Sequence, residues 1–222
     1  MTHTHLEGVD VSEANGSVDW KAVHRSGRRF AICKVSEGTY LDPTFSRGRV
    51  DAIRKAGLIA GGYAYLRPRL GRTGAQEARV FLRHAKAAGL WHPDHQAVKD
   101  VRPVLDLEES GFHVRGRART LRYLESAVEE VMRQTGGRRP ILYLGSFWRD
   151  ELRDPRTTFG GCPLWYPEYG VSRPRLAPKA WAHGPAIWQY AEDGRVPGVP
   201  GDCDLDRYLD GDLRHFKARM CV

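Results

Sequence analysis

Short apolar runs alternate with amphipathic stretches from one end of this chain to the other. Gly8-Val9-Asp10-Val11 predicts a strand, and residues 19–25 predict a short helix that Gly27 ends. Residues 30–35 read as a second strand. Residues 44–56 read as a helix, with Phe45, Ala52, Ile53 and Ala56 on one face and Gly57 as its stop. A third strand covers 58–65. Ala78, Phe81, Leu82, Ala85 and Ala88 then recur at helical spacing over 74–88. Residues 101–108 form the fourth strand, and Leu121, Leu124, Val128 and Val131 mark a one-faced helix over 117–134 that Gly136-Gly137 ends. The fifth strand is 140–143. Three more, at 163–166, 186–190 and 203–208, follow with little helix between them.

Alternating strands and helices predict an α/β fold with a parallel sheet. Eight strands in a chain of 222 residues point to a closed TIM-like β/α barrel, irregular and with few helices in its second half. No internal repeat, Ser/Gly linker or low-complexity tail divides the chain. Val196-Pro197-Gly198-Val199-Pro200-Gly201 reads as a loop, so residues 1–222 are expected to form a single barrel domain.

Composition narrows the class. Apolar residues make up 41% and charged residues 28%, as in a soluble globular protein, and no run approaches a membrane span. The first residues lack a basic, then apolar, leader pattern, so no signal peptide is expected. The net charge of +8 favours polyanionic partners. Nucleic acid is disfavoured, because no basic run interleaves with aromatics and no zinc-finger spacing occurs. Cys33 lies in an apolar run and reads as a buried thiol. Cys162, Cys203 and Cys221 form no C-x-x-C pair, and spacing leaves a Cys162–Cys203 bridge open.

Acids recur at the predicted strand ends. In Pro103-Val104-Leu105-Asp106-Leu107-Glu108, strand alternation puts Asp106 and Glu108 on one face. Burying one unpaired charge is costly and burying two costs more, so such a pair has a chemical purpose. Asp10 sits in the first strand, Glu37 follows the second and Asp204 opens the last. The first and last strands of a barrel are neighbours, and strand C-termini share one mouth, so Asp10 and Asp204 should face the Asp106/Glu108 pair. Tyr63, Tyr65, Tyr143, Trp165, Tyr166, Trp188 and Tyr190 crowd the same ends. Taken singly, each aromatic is more often packing than contact. Together, carboxyls for a glycosidic bond and aromatic faces for sugar rings describe a carbohydrate hydrolase.

A set of segments stands out along the chain: Gly8-Val9-Asp10-Val11-Ser12, Asn15-Gly16, Val18-Asp19-Trp20, Lys34-Val35-Ser36-Glu37-Gly38-Thr39, Asp42-Pro43, Phe45, Ala56-Gly57-Leu58 and Gly61-Gly62-Tyr63. It continues through the Asp106/Glu108 strand, Ile141-Leu142-Tyr143, Leu164-Trp165, Ile187-Trp188-Gln189-Tyr190 and Asp204-Leu205-Asp206-Arg207-Tyr208. In these pieces the chain resembles glycoside hydrolase family 25, the Chalaropsis-type lysozymes or N-acetylmuramidases; they lie in family order and span nearly the whole chain. The sequence departs from the family pattern in three places. Ala14 stands for a common aromatic, Ala64 for a His that would touch substrate, and Tyr166-Pro167-Glu168-Tyr169 is an unusual version of its strand.

The resemblance implies hydrolysis of the β-1,4 bond between N-acetylmuramic acid and N-acetylglucosamine in peptidoglycan. Glu108 is then the general acid/base. Asp106 is a nucleophile or the group that positions the substrate's 2-acetamido arm. About 6–7 Å between side chains two apart on a strand is crowded for a free water-activating arrangement, though spacing does not choose between these two roles; retention through that arm is the expectation. Asp10 and Asp204 would tune charge or bind substrate. Glu37, Tyr63, Tyr65, Tyr143, Trp165 and Trp188 would bind it. No metal or other cofactor is expected. The partners expected are peptidoglycan glycan strands and anionic wall polymers, met by a monomer that inserts into no membrane. With residues 1–222 as a single catalytic barrel domain and no separate wall-binding domain, the protein would act at the wall as an extracellular enzyme, or as a phage or prophage endolysin released through a partner's pore. Competing readings are a chitinase-like hexosaminidase, a sugar-binding module without activity, and a wall amidase or peptidase. For the last, His92-Pro93-Asp94-His95 lacks a third metal ligand.

Overall fold

The computed structural model describes residues 5–68, 71–91, 99–108, 116–155, 158–175 and 178–222. In chain order the elements are β1 (Leu6–Val11), α1 (Trp20–Arg25), β2 (Phe30–Glu37), β3 (Tyr40–Leu41), α2 (Arg47–Lys55), β4 (Ile59–Tyr65) and α3 (Gly74–Ala87). They continue with β5 (Val104–Leu107), α4 (Arg117–Gln134), β6 (Ile141–Leu144), α5 (Phe147–Asp150), β7 (Leu164–Pro167), β8 (Ile187–Gly194), β9 (Cys203–Tyr208) and α6 (Leu213–Met220).

The sheet order is β1-β9-β8-β7-β6-β5-β4-β2-β3, and a β1–β2 pairing closes the first eight of these into a barrel. The two-residue β3 only folds back on the end of β2. Parallel pairing runs from β1 through β2, β4, β5, β6 and β7 to β8. The last strand departs from the parallel expectation, because β9 is antiparallel to both β8 and β1. This reversal is what brings Asp204 to the mouth. In a parallel ninth strand, its opening residue would lie at the base.

Strand alternation sorts side chains into two apolar layers. Outward positions such as Val9, Ala31, Cys33, Leu105 and Leu142 pack with Phe81, Leu82, Leu124 and Val128 of α3 and α4. These two helices approach closely at Gly74, where a Cβ would lie 2.0 Å from the Tyr123 carbonyl oxygen. Inward positions fill the barrel base with Leu6, Phe30, Ile32, Ile59, Val104, Ile141, Ile187 and Tyr208. A Cβ at position 8 would fall 2.2 Å from the Phe30 ring, so only glycine leaves that ring its place in the interior.

The expected strands and the four expected helices are present. α6 was not anticipated, although its signals are in the sequence: Asp212 caps its N-terminus through His215 N at 2.9 Å, and Phe216 and Met220 share a face. The helix plugs the barrel base. Phe216 stacks on Phe30 at 4.8 Å and meets Tyr208 edge-on at 5.0 Å. Backbone bonds between Val222 and Asp100, and from Arg102 to Met220, tie the C-terminal segment to the approach of β5. This lattice explains why residue 101 forms an isolated bridge to Cys221 instead of opening β5.

No disulfide joins Cys162 to Cys203, and all four cysteines are free and buried. The reason is topological. Cys162 precedes parallel β7 at the base, whereas Cys203 opens antiparallel β9 at the mouth.

Candidate active site

The apolar interior gives way to charge at the C-terminal ends of the parallel strands. On β5, Asp106 points inward between two register neighbours, Tyr65 of β4 and Tyr143 of β6. It is 6% exposed, and its Oδ1 atom is buried with no hydrogen-bond partner. Burial pushes this carboxyl well above its ordinary range, and the neighbouring Glu108 adds to the effect. Lys34 and Arg67 pull the other way without prevailing. Like-charge repulsion in the pair thus falls on Asp106, the member set deeper in the barrel. Glu108 lies just past the strand, at the groove.

Glu37 holds the two cations. Its carboxylate accepts from Lys34 Nζ at 3.1 Å and from Arg67 Nε at 2.8 Å. Partial burial opposes its charge, but the bonds from Arg67 and Lys34 outweigh burial and keep Glu37 below the usual range. The Arg67 guanidinium lies 4.4 Å from the Tyr65 ring centre, and Lys34 Nζ lies 5.7 Å from it. Glu37 itself does not line the groove; it fixes the cations that face Asp106.

A second acid group forms where the barrel closes. Asp10 on β1 and Asp204 on β9 are register partners, and Asp206 sits one inward position deeper. Gln189 Nε2 donates to Asp10 Oδ2 at 2.8 Å. Its Oε1 accepts from Tyr143 at 2.9 Å and Tyr169 at 2.6 Å. Trp165 Nε1 donates to Asp206 Oδ1 at 2.9 Å, while Asp206 Oδ2 is buried without a partner. Burial, then Asp204 and Asp206, raises Asp10 well above its usual value. Burial, then Asp204, does the same to Asp206. Asp204, less buried, is pushed up to about 6, chiefly by burial. Three carboxyls in mutual contact cannot all ionise cheaply, so the cluster stores protons at the mouth.

These groups line two adjoining cavities of about 250 and 460 Å³ that share Glu108, Tyr143, Tyr169 and Glu192, making one groove across the mouth. Of the residues anticipated from sequence, Asp10, Asp106, Asp204, Glu108, Tyr63, Tyr65, Tyr143 and Trp165 line it. Trp188 does not. Its neighbour Gln189 takes the inward position, so Trp188 faces outward, donates to the Glu168 carbonyl at 2.8 Å and packs beside Tyr190 and Arg207. Ala64 is likewise buried against the helix layer, away from substrate space.

Asp206, Gln189, Tyr169, Lys34, Arg67 and Glu192 escaped the sequence reading as site residues. Asp206 and Gln189 were visible only as letters of recognised segments. Tyr169 lay in the segment marked as unusual. The His92–His95 stretch lies outside the described residues. Among the described residues, no group of three or more His, Cys, Asp or Glu side chains is arranged to hold a metal ion.

A closed barrel with carboxyls converging between aromatic faces at its mouth is the arrangement of a glycoside hydrolase. The chain belongs to glycosyl hydrolases family 25, whose model matches residues 9–199. It is 30% identical to lysozyme M1 of Streptomyces globisporus, covering 91% of this chain and 67% of that protein. It is 31% identical to the autolytic lysozyme of Clostridium acetobutylicum, covering 94% of this chain and 57% of the relative. An N,O-diacetylmuramidase of Chalaropsis sp. is 29% identical, with 90% of this chain and 96% of the relative covered. Among solved structures, the bacterial lysozyme of Streptomyces coelicolor superposes with a TM-score of 0.84 at 27% identity, covering 98% of this chain and 97% of the other.

Proposed function

We propose that this domain is an N-acetylmuramidase that cleaves the β-1,4 bond from N-acetylmuramic acid to N-acetylglucosamine in peptidoglycan, with retention through the substrate's 2-acetamido group. The observation that supports it best is Asp106. A buried carboxyl with one unpartnered oxygen, set beside Glu108, suits a group that receives a substrate N–H. The acetamido carbonyl oxygen attacks the anomeric carbon while Glu108 gives its proton to the departing glycosidic oxygen. Water then adds to that carbon, and Glu108 takes back a proton as the acetamido oxygen leaves. The acetamido N–H that Asp106 accepts, and the positive charge that builds on the arm, favour the Asp106 anion, so the proton of the pair resides on Glu108 while Asp106 balances that charge. Asp10, Asp204 and Gln189 hold the closing side of the groove, and Tyr143 and Trp165 offer faces to the sugar rings.

Residues 1–222 act in this reading as one catalytic barrel, working as a monomer on wall glycan, either outside the cell or after release as an endolysin. Among the described residues, no helix is long and apolar enough to cross a membrane. Digestion of purified peptidoglycan tests the activity, with the new reducing ends identified by mass spectrometry. Reducing-end muramic acid with a retained β-anomer is expected. A Glu108→Gln variant that folds should lose clearing of wall suspensions, and near-wild-type clearing by it would end the assignment. New glucosamine reducing ends, or free amino groups, would replace the muramidase by a hexosaminidase or a peptidase.

A further inference from the structure

At the end of the barrel opposite the acids, a cavity of about 570 Å³ opens under the start of β7 and β8. Arg102, Arg219, Asp210, His183, Trp181 and Cys162 are among its walls. The catalytic groove uses none of them. Arg102 Nε is buried with no hydrogen-bond partner. Burial disfavours the charge on Arg102, and Arg138 and Arg219 disfavour it further. Arg139 lies behind this wall, packed against Gly161 and bonded to the Cys162 thiol. Asp210 is the one acid on the walls among the described residues, and it reaches only Arg219, at 3.8 Å.

Two guanidinium groups, Arg102 and Arg219, line the cavity against one carboxylate, which leaves its walls with an excess of positive charge. An anion held between the two guanidinium groups offsets that excess. Planar forks of N–H donors match the oxygens of a phosphate better than a lone carboxylate, which offers fewer acceptors. The volume is that of a site for a small organic ligand, larger than a bare ion needs. The Trp181 indole, anchored by its N–H to the Cys162 carbonyl at 2.7 Å, supplies a rigid apolar wall. We propose that this basal cavity is a second binding site, taking a phosphate monoester or diester with the phosphate between Arg102 and Arg219 and the organic group against Trp181.

Calorimetric titration of the purified protein tests this, with inorganic phosphate, glycerol 3-phosphate and a glycerophosphodiester as probes and acetate at equal ionic strength as control. Saturable binding of at least one phosphate probe, and not of acetate, is expected. Arg102→Gln and Arg219→Gln should each weaken it at least tenfold, and Asp210→Asn should tighten it. Arg219 is exposed, so its variant and Asp210→Asn carry the test if Arg102→Gln fails to fold. Binding of the diester points to a phosphodiester polymer as the source, and binding of the monoester or phosphate alone to a small free ester. Binding no stronger than acetate, or unchanged in Arg219→Gln, would overturn the site. Binding is read without hydrolysis, so failure here leaves the muramidase reading untouched, and the reverse holds too.

Discussion

Replacing Asp106 by Asn should abolish activity and at the same time stabilise the protein at neutral pH. Asp106 is 6% exposed, carries an unpartnered oxygen and titrates well above its ordinary range because of burial and Glu108. A carboxyl whose folded-state titration lies above its unfolded value, about 3.9, binds more protons when folded. Its cost to stability is therefore absent below the unfolded value, grows as pH rises from there to the folded value, and is complete above it. Asn has nearly the same shape and never ionises, so it escapes that cost. An unsatisfied buried polar group costs about 1–3 kcal/mol, more when charged, so the gain at pH 7 should be about 1–3 kcal/mol. For a chain of this size that is a rise of about 2–12 °C in Tm. The loss of transition-state charge balance should lower turnover about 100-fold or more. Urea unfolding followed by tryptophan fluorescence from pH 3.5 to 8, alongside a wall-clearing assay, measures both. The gain should shrink toward zero as pH falls and the wild-type carboxyl takes up its proton. A variant less stable than wild type at pH 7, or a gain that persists unchanged at pH 3.5, would refute the account of Asp106 as a strained, unpaired carboxyl.

Gln189→Met keeps the bulk of the side chain but removes the donor to Asp10 and the acceptor for Tyr143 and Tyr169. It should cost about 2–5 kcal/mol in urea unfolding and move the Asp10 titration further up in carboxyl-resolved NMR, since the Gln189 bond favours the Asp10 anion. Phe216→Ala opens a cavity where α6 plugs the barrel, between Phe30 and Tyr208. A loss of about 3–5 kcal/mol is expected, read as a lower urea midpoint at unchanged slope. The net charge of +8 should hasten association with an anionic wall, so the lytic rate should fall between low and high ionic strength. A rate indifferent to salt would remove that role for the charge.

Hydrophobic patterning and stop residues made most of the barrel legible. Leu121, Leu124, Val128 and Val131 repeat with a helical period, and α4 spans the residues that the period and Gly136-Gly137 mark out. The same reading paired Asp106 with Glu108, because the parity of a strand is a local property. Parity does not say which face turns inward. At β8 the choice fell to Gln189, which meets Asp10 across the barrel, and Trp188 was left to the barrel's outer face, where it is buried beside Tyr190. α6 is short and weakly patterned on its own. It became part of the core only because the barrel base offered Phe30 and Tyr208 to its Phe216.

The sequence by itself determined the elements, the same-face acids of β5 and the family, since each rests on residue spacing along one segment. Tertiary structure decided the direction of β9, and with it the meeting of Asp10, Asp204 and Asp206, the separation of Cys162 from Cys203, and the raised titration of Asp106. Those properties depend on which charges and surfaces are brought together across the barrel, and on how much water their meeting excludes.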